Sequence, residues 1–306
     1  MATVRALFGI QAQDRAAAPL AVRARTDGAS ADALDTAVRS AALVRTWAMR
    51  GTLHLLAADD LPTALAVFGP LNLKRGQRRL TELGLPPEVA ERSTAEVAAI
   101  LAEEAPLDRH ALAARLRERG VPVAAEGQAP VHVVARAAHA GVLIELEDRR
   151  YGPLDVGPLP DRGQALVEVA RRYGESHAPA TAEDFAAWSG LPAADVSTAW
   201  QDPELTAGEE GGVRLLPAFD EWLLGWASRD LVLQREHARR AAPGGGIIRP
   251  VAIADGRVFA TWRLDRRRRR VEIDPFGRVT KAMRAGVEAE VEAIGAFLGT
   301  CLALRP

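Results

Sequence analysis

Leu143-Ile144-Glu145-Leu146-Glu147, then Asp148-Arg149-Arg150, then Tyr151 read as strand, turn and strand, following three helical stretches at residues 88–104, 109–119 and 131–140. Gly120 and Gly141 stop the second and third helices, because glycine takes the left-handed conformation that ends a helix. Three helices and a hairpin make a winged helix-turn-helix. The order is expected again downstream. A helix at 164–173 precedes Thr181-Ala182-Glu183-Asp184, a capping box with Asp in place of the usual Glu or Gln, which opens a helix to Ser189. Gly190-Leu191-Pro192 is the turn, 194–200 the third helix, and 205–207 with 213–216 the wing around a tip at 208–212. The acidic tip, Glu209-Glu210, would repel phosphate, so this copy is expected to be structural.

Upstream, a helical pattern at 31–39 runs into Leu43 to Leu55, where the apolar period changes to two and one strand is expected. Trp47, Met49, Leu53 and Leu55 then share one face, and Thr46, Arg50, Thr52 and His54 the other. Asp59 or Asp60 with Pro62 starts a helix through Phe68, and Lys74-Arg75-Gly76-Gln77-Arg78-Arg79 forms a basic cluster. From Ala218 onward the chain becomes β-rich, with strands at 247–254, 257–264 and 271–273 and a hairpin turn at Asp255-Gly256. Asp265-Arg266-Arg267-Arg268-Arg269-Arg270 tips the second hairpin. Adjacent guanidiniums repel one another unless an anion is near, which favours a phosphate or groove contact over a merely solvated loop. The expected fold is α+β: three tandem winged-helix modules at 1–85, 86–156 and 157–217, then a β-barrel-like domain at 218–306.

With 306 residues, 48% of them hydrophobic, the chain can bury several cores. No apolar run approaches the roughly 18 residues that span a bilayer and no secretory signal opens the chain, so a cytoplasmic protein without membrane association is expected. The single cysteine, Cys301, allows no internal disulfide or zinc finger and lies in an apolar tail, where a buried small hydrophobe is expected. His110, His132 and His139 have no metal-ligand spacing, and neither a metal nor a cofactor is expected. The net charge of −1 hides clustered basic residues, nearly all of them arginine, whose planar fork suits phosphate and base edges; a GC-rich genome would give the same bias.

The stretch Gly9-Ile10-Gln11-Ala12-Gln13-Asp14 is the candidate for chemistry. Gly9 can stop the apolar run before it and Asp14 can cap the Ala-rich run after it, leaving the glutamines on an uncoiled link. Residues two apart in an extended segment point the same way, so Gln11 and Gln13 would face one small volume. Together they could orient a water without carrying charge. On spacing alone, a tie between two helices is the favoured alternative. The adjacent Asp220 and Glu221 would not face each other on a helix or strand, which gives little support to a paired-carboxylate mechanism.

Gln11-Ala12-Gln13, Trp47-Ala48-Met49-Arg50-Gly51-Thr52-Leu53-His54 and Leu215-Leu216-Pro217-Ala218-Phe219-Asp220-Glu221-Trp222-Leu223-Leu224-Gly225, taken together, resemble the winged-helix interstrand-crosslink DNA glycosylases of the azinomycin-resistance type. The likeness covers nearly the whole chain. Members usually carry a further helix before the glutamine motif, where this chain has ten residues. The resemblance implies a monomeric, monofunctional glycosylase that hydrolyses the N-glycosidic bond of N7-alkylated purines in double-stranded DNA, including crosslinked ones. The family signature is Gln, an apolar residue, Gln, which makes Gln11 and Gln13 the catalytic pair. Arg50, Thr52 and His54 are expected to line the approach to the glutamines, and Lys74, Arg75, Arg78 and Arg79 to contact DNA. Arg266, Arg267, Arg268 and Arg269 stand where the family carries a DNA-probing hairpin. An alkylated N7 makes the base a cation that leaves as a neutral molecule, and no lysine lies near the motif for Schiff-base chemistry. The alternatives are a non-catalytic winged-helix regulator, disfavoured by the lack of a heptad seam or symmetric dimerisation helix, and a relative that binds crosslinked DNA without cutting it.

Overall fold

The computed structural model describes residues 1–202 and 211–305. Helices α1 (Ala2–Ala6) and α2 (Ala17–Arg23) flank the two-residue extended segment β1 (Ile10–Gln11), and α3 (Ala31–Arg39) follows. The single strand expected over 43–55 is instead a hairpin of β2 (Leu43–Trp47) and β3 (Leu53–Ala57), antiparallel with Trp47 opposite Leu53 and Thr46 opposite His54. Arg50 and Gly51, both left-handed at φ 54° and 68°, turn the chain back; the turn residues continue the apolar alternation and so hide the reversal. Neither hairpin face is a solvated polar stripe, since Thr46 and His54 are buried.

Next come α4 (Leu61–Glu82), α5 (Pro87–Glu104), β4 (Leu107–Asp108), α6 (Arg109–Glu118), α7 (Ala129–His139), β5 (Leu143–Glu145) and β6 (Arg150–Pro153). Pro62 sits in the first turn of α4, where its missing N–H costs nothing, and α4 continues through Pro70 so that Lys74 to Arg79 form part of the helix. Asp108 caps α6 by accepting from the N–H groups of His110 and Ala111. Then follow α8 (Arg162–Ser176), α9 (Ala182–Ser189) and α10 (Ala193–Ala199). The capping box at α9 is reciprocal: Thr181 N donates to Asp184 Oδ2 at 3.0 Å, and Asp184 N to Thr181 Oγ1 at 3.2 Å. The chain ends with β7 (Val213–Leu216), α11 (Glu221–Leu224), α12 (Ala238–Ala241), β8 (Val251–Ala254), β9 (Arg257–Asp265), β10 (Arg270–Pro275), α13 (Lys281–Phe297) and β11 (Ala303–Arg305). No described helix is long and apolar enough to cross a membrane.

The chain folds into two units that interleave along the sequence. The first holds Val38–Arg171 and Ser189–Trp200. Its antiparallel strands lie in the order β3-β2-β5-β6-β4. Leu80, Ile100, Leu112, Leu116, Val133 and Tyr151 belong to one buried cluster beneath α4 to α7. Each large apolar side chain removed from water there contributes about 1.5–3 kcal/mol.

The second unit holds Ala2–Ala37, Arg172–Trp188 and residues 201–306. Its sheet runs β11-β10-β9-β8-β7, with β10 and β11 parallel, and curls into a half-barrel rather than a closed barrel. Alternate residues feed two cores: Ala252, Trp262 and Val271 pack with Val291, Ile294 and Phe297 of α13, while Val251, Ile253 and Val258 pack with Leu223 and Ile248. Asp255 and Gly256, at φ 48° and 77°, make the β8–β9 turn that the Asp-Gly pair announces. Two expectations change. β7 pairs with β8 in this sheet, whereas a wing was expected, because Leu215 finds its apolar partners there. The rest of that wing, at 205–210, lies outside the described residues. Cys301 is exposed, since the chain past α13 returns along β10 as an edge strand.

Candidate active site

Gln11 and Gln13 belong to the second unit, on a link whose shape is fixed at both ends. Phe8 and Gly9 both take positive φ, 51° and 106°, and the Gly9 N–H returns to the Val4 carbonyl at 2.9 Å, which ends α1. After the glutamines, Asp14 Oδ1 accepts from Ala16 N at 2.8 Å and the Asp14 carbonyl from Ala17 N at 3.1 Å, which starts α2. The two carboxamides do face one volume, with Gln11 Nε2 donating to Gln13 Oε1 at 3.2 Å. Gln11 is 6% exposed, whereas Gln13 is open to solvent. The Gln11 Oε1 is buried with no hydrogen-bond partner. That oxygen is an unpaired acceptor within the site, the kind of group that a donor on an incoming ligand would satisfy.

What holds the link comes from far along the chain. Glu221 Oε1 accepts the Gln11 backbone N–H at 3.1 Å, and its Oε2 accepts Trp188 Nε1 at 3.1 Å. Trp188 stands in an aromatic cluster, stacked on Phe185 and tilted against Tyr173 and His177. Burial, with Asp184 and Glu221 nearby, pushes the Tyr173 phenol well above its usual range, so it stays protonated and donates to the Gly225 carbonyl at 2.6 Å. Gly225 must lack a side chain, because a Cβ would lie 2.5 Å from His177 Cδ2. Asp220, the other acid of the pair, caps α11 through Trp222 N and takes both Arg25 nitrogens at 2.9 and 2.6 Å. The adjacent carboxylates thus serve different partners, as side chains that do not face each other must. Arg23 of α2 forms a buried ion pair with Glu290, which also accepts from Leu215 N. Phe8 and Phe219 both hold left-handed backbone, a conformation that costs side-chain-bearing residues on the order of 1–3 kcal/mol and clusters at functional sites. The sequence singled out Glu221 only as one of two adjacent acids and as part of the resemblance; that it holds Gln11, with Trp188 on its other oxygen, was not legible because nothing local marks a carboxylate that bonds 210 positions away.

The basic hairpin forms where it was expected. Arg266, Arg267, Arg268 and Arg269 are exposed between β9 and β10. Asp265 holds the loop through Arg268 N at 2.9 Å and lies 3.7 Å from the Arg268 guanidinium, while Arg270 turns to Glu272 at 2.8 Å. Among the described residues, the guanidiniums of Arg266, Arg267 and Arg269 make no ion pair.

The other expected contact residues belong to the first unit. Lys74, Arg75, Arg78 and Arg79 lie exposed on α4, but Arg78 and Arg79 are partly neutralised by Glu82 at 3.0 and 2.9 Å. Thr52 is half-buried and donates to the Met49 carbonyl at 3.1 Å. His54 is fully buried with Nδ1 on the Thr52 carbonyl at 2.9 Å. Burial, reinforced by the Arg50 charge, drops its pKa to about 3, so it is neutral near pH 7.

This architecture is not solitary. A solved DNA glycosylase AlkZ from Streptomyces sahachiroi superposes with a TM-score of 0.80 at 24% identity over 99% of this chain and 92% of that one, which establishes the shared fold. The interstrand DNA cross-link repair glycosylase of the same organism is 30% identical over 301 residues, covering 84% of this chain and 80% of its own length. The model of the AlkZ-like DNA glycosylases matches residues 4–297, and this chain belongs to that family.

Proposed function

We propose that this chain hydrolyses the N-glycosidic bond of N7-alkylated purines in duplex DNA, and that it acts on interstrand crosslinks, whose repair the relative's name states for that protein. The observation that carries the reading is Gln11: buried, its main chain held by Glu221 and its carboxamide by Gln13, with the side-chain oxygen left over. A water donating to Gln11 Oε1 attacks the anomeric carbon as the bond from C1′ to N9 breaks. The bonding pair neutralises the purinium, the base leaves uncharged, and the water's proton passes to solvent. The amide oxygens present partial negative charge to the oxocarbenium-like sugar without any rearrangement. No general base acts, so the roughly 10²- to 10⁴-fold that such a group adds is forgone; the site handles bases already activated by alkylation and spares intact ones.

Docking on DNA falls to the arginine-rich surfaces. The order α5-β4-α6-α7-β5-β6 supports a winged helix at 86–156. Lys74, Arg75, Arg50 and the hairpin arginines provide phosphate contacts, which position the duplex. The test is incubation with a duplex carrying N7-methylguanine or an N7-linked crosslink, followed by detection of free base and abasic site. A duplex that is bound but releases no base rejects the proposal.

A further inference from the structure

Within the unit of Val38–Arg171 and Ser189–Trp200, a cleft of about 360 Å³ opens beside α4, α7 and the β2–β3 turn. Trp47, Leu73 and Val131 make apolar wall; Arg50, Arg75, Arg79 and Arg136 bring guanidiniums, of which Arg79 is paired with Glu82, and no Asp or Glu lines the cleft. Arginines elsewhere in this chain are routinely matched with carboxylates: Arg115 with Glu104 and Glu118, Arg119 with Glu96 and Glu103, Arg162 with Asp195. At the cleft, Arg75 donates to the Gly190 carbonyl at 2.8 Å, and Arg136 to the Ala90 carbonyl, Thr94 Oγ1 and Gln77 Oε1 at 3.1–3.2 Å. Neutral acceptors of this kind fix a guanidinium without neutralising it. Burial, only partly offset by Glu91, holds the Arg136 pKa below its usual value, so a nearby anion would restore what desolvation costs. Burial likewise keeps His139 neutral, with a pKa of about 4. Its Nδ1 faces the Asn72 amide at 3.4 Å, an arrangement that assigns the ring proton to Nε2 and adds an uncharged donor to the wall.

Guanidiniums fixed by neutral acceptors beside an indole match the two halves of a nucleotide, and the cleft exceeds what a lone phosphate fills. We propose that it holds one unpaired nucleotide of a DNA strand, its phosphate between Arg75 and Arg136 and its base against Trp47. This rests on the DNA-directed function above; the cleft shares Arg50 and Arg75 with the duplex contacts proposed there but no residue with the glutamine site, which belongs to the other unit.

The test is equilibrium binding of the full chain to 2′-deoxyguanosine 5′-monophosphate, to 2′-deoxyguanosine, to inorganic phosphate, and to duplexes with and without a one-nucleotide overhang. The nucleotide should bind about tenfold or more tightly than the nucleoside or phosphate, as expected when a charge-assisted contact and stacking act together. The overhang duplex should bind more tightly than the blunt one. Arg136→Gln should remove both preferences. Ala135→Leu, which fills the cleft and keeps every charge, should do the same while leaving blunt-duplex affinity and its salt dependence intact; thermal melting confirms that both variants fold. An overhang preference that survives Ala135→Leu, or no such preference in the wild-type chain, overturns the proposal. Nucleotide binding without an overhang preference assigns the cleft to free nucleotides and likewise overturns the strand. Base release measured in parallel separates the two readings, since its absence rejects the glycosylase and leaves the cleft standing.

Discussion

Glu221 Oε1 accepts the backbone N–H of Gln11 at 3.1 Å while its other oxygen takes the Trp188 indole N–H. One buried carboxylate therefore fixes the glutamine link through its main chain and ties it to an aromatic wall. Glu221→Gln must point its new NH2 at one of those two donors, leaving a buried group unpaired at a cost of roughly 1–3 kcal/mol. Base release per bound duplex should fall on the order of tenfold to a hundredfold at unchanged DNA affinity. Trp188→Phe in the same chain removes one donor and should restore much of the rate. A double variant no faster than Glu221→Gln would reject this positioning role.

Gln11→Ala and Gln13→Ala should each slow base release by about 1–3 kcal/mol of barrier, with folding and duplex binding little changed. Because Gln11 Nε2 bonds Gln13 Oε1, the losses should fall short of additive in the double variant. Gln13→Asp supplies a carboxylate at an exposed position, so activity should persist with a new dependence on the acidic limb. Single-turnover rates across pH measure all three.

At the hairpin, Arg266, Arg267 and Arg269 are free to meet phosphate, whereas Arg268 is engaged by Asp265. Replacing the three free residues with alanine should weaken duplex binding and reduce the salt slope by up to about 0.9 for each phosphate left without its arginine. Arg268→Ala should do less. Salt-dependent titrations that show an unchanged slope for the triple variant would remove the hairpin from the interface.

His54, His139 and His177 have pKa values depressed by burial to about 3, 4 and 4, with Arg50 adding to the effect at His54 and Arg25 at His177. The unfolded chain then binds more protons than the folded one, so the stability these groups contribute is complete above the ordinary histidine pKa of about 6.5 and declines as pH falls toward their folded values. Each proton taken up on unfolding gives a slope of about 1.4 kcal/mol per pH unit within that window. Denaturant unfolding between pH 7.5 and 5 should show the decline, and His54→Leu should flatten it by about one proton. An unaltered slope would mean that His54 does not remain neutral in the folded chain.

Local chemistry made much of this protein legible from its sequence. Helix ends at Gly120 and Gly141, the Asp255-Gly256 turn and the Thr181–Asp184 box all act within a few residues, where backbone sterics and single hydrogen bonds decide the outcome. The parity that set Gln11 beside Gln13 is likewise local, and so is the loop of Arg266 to Arg269. Alternation failed at Arg50 and Gly51 because a turn can preserve the apolar pattern while reversing the chain. Which sheet takes β7, why Cys301 is exposed, and which carboxylate holds Gln11 were decided only in three dimensions. Such pairings depend on which surfaces bury one another, and separation along the sequence carries no record of that choice.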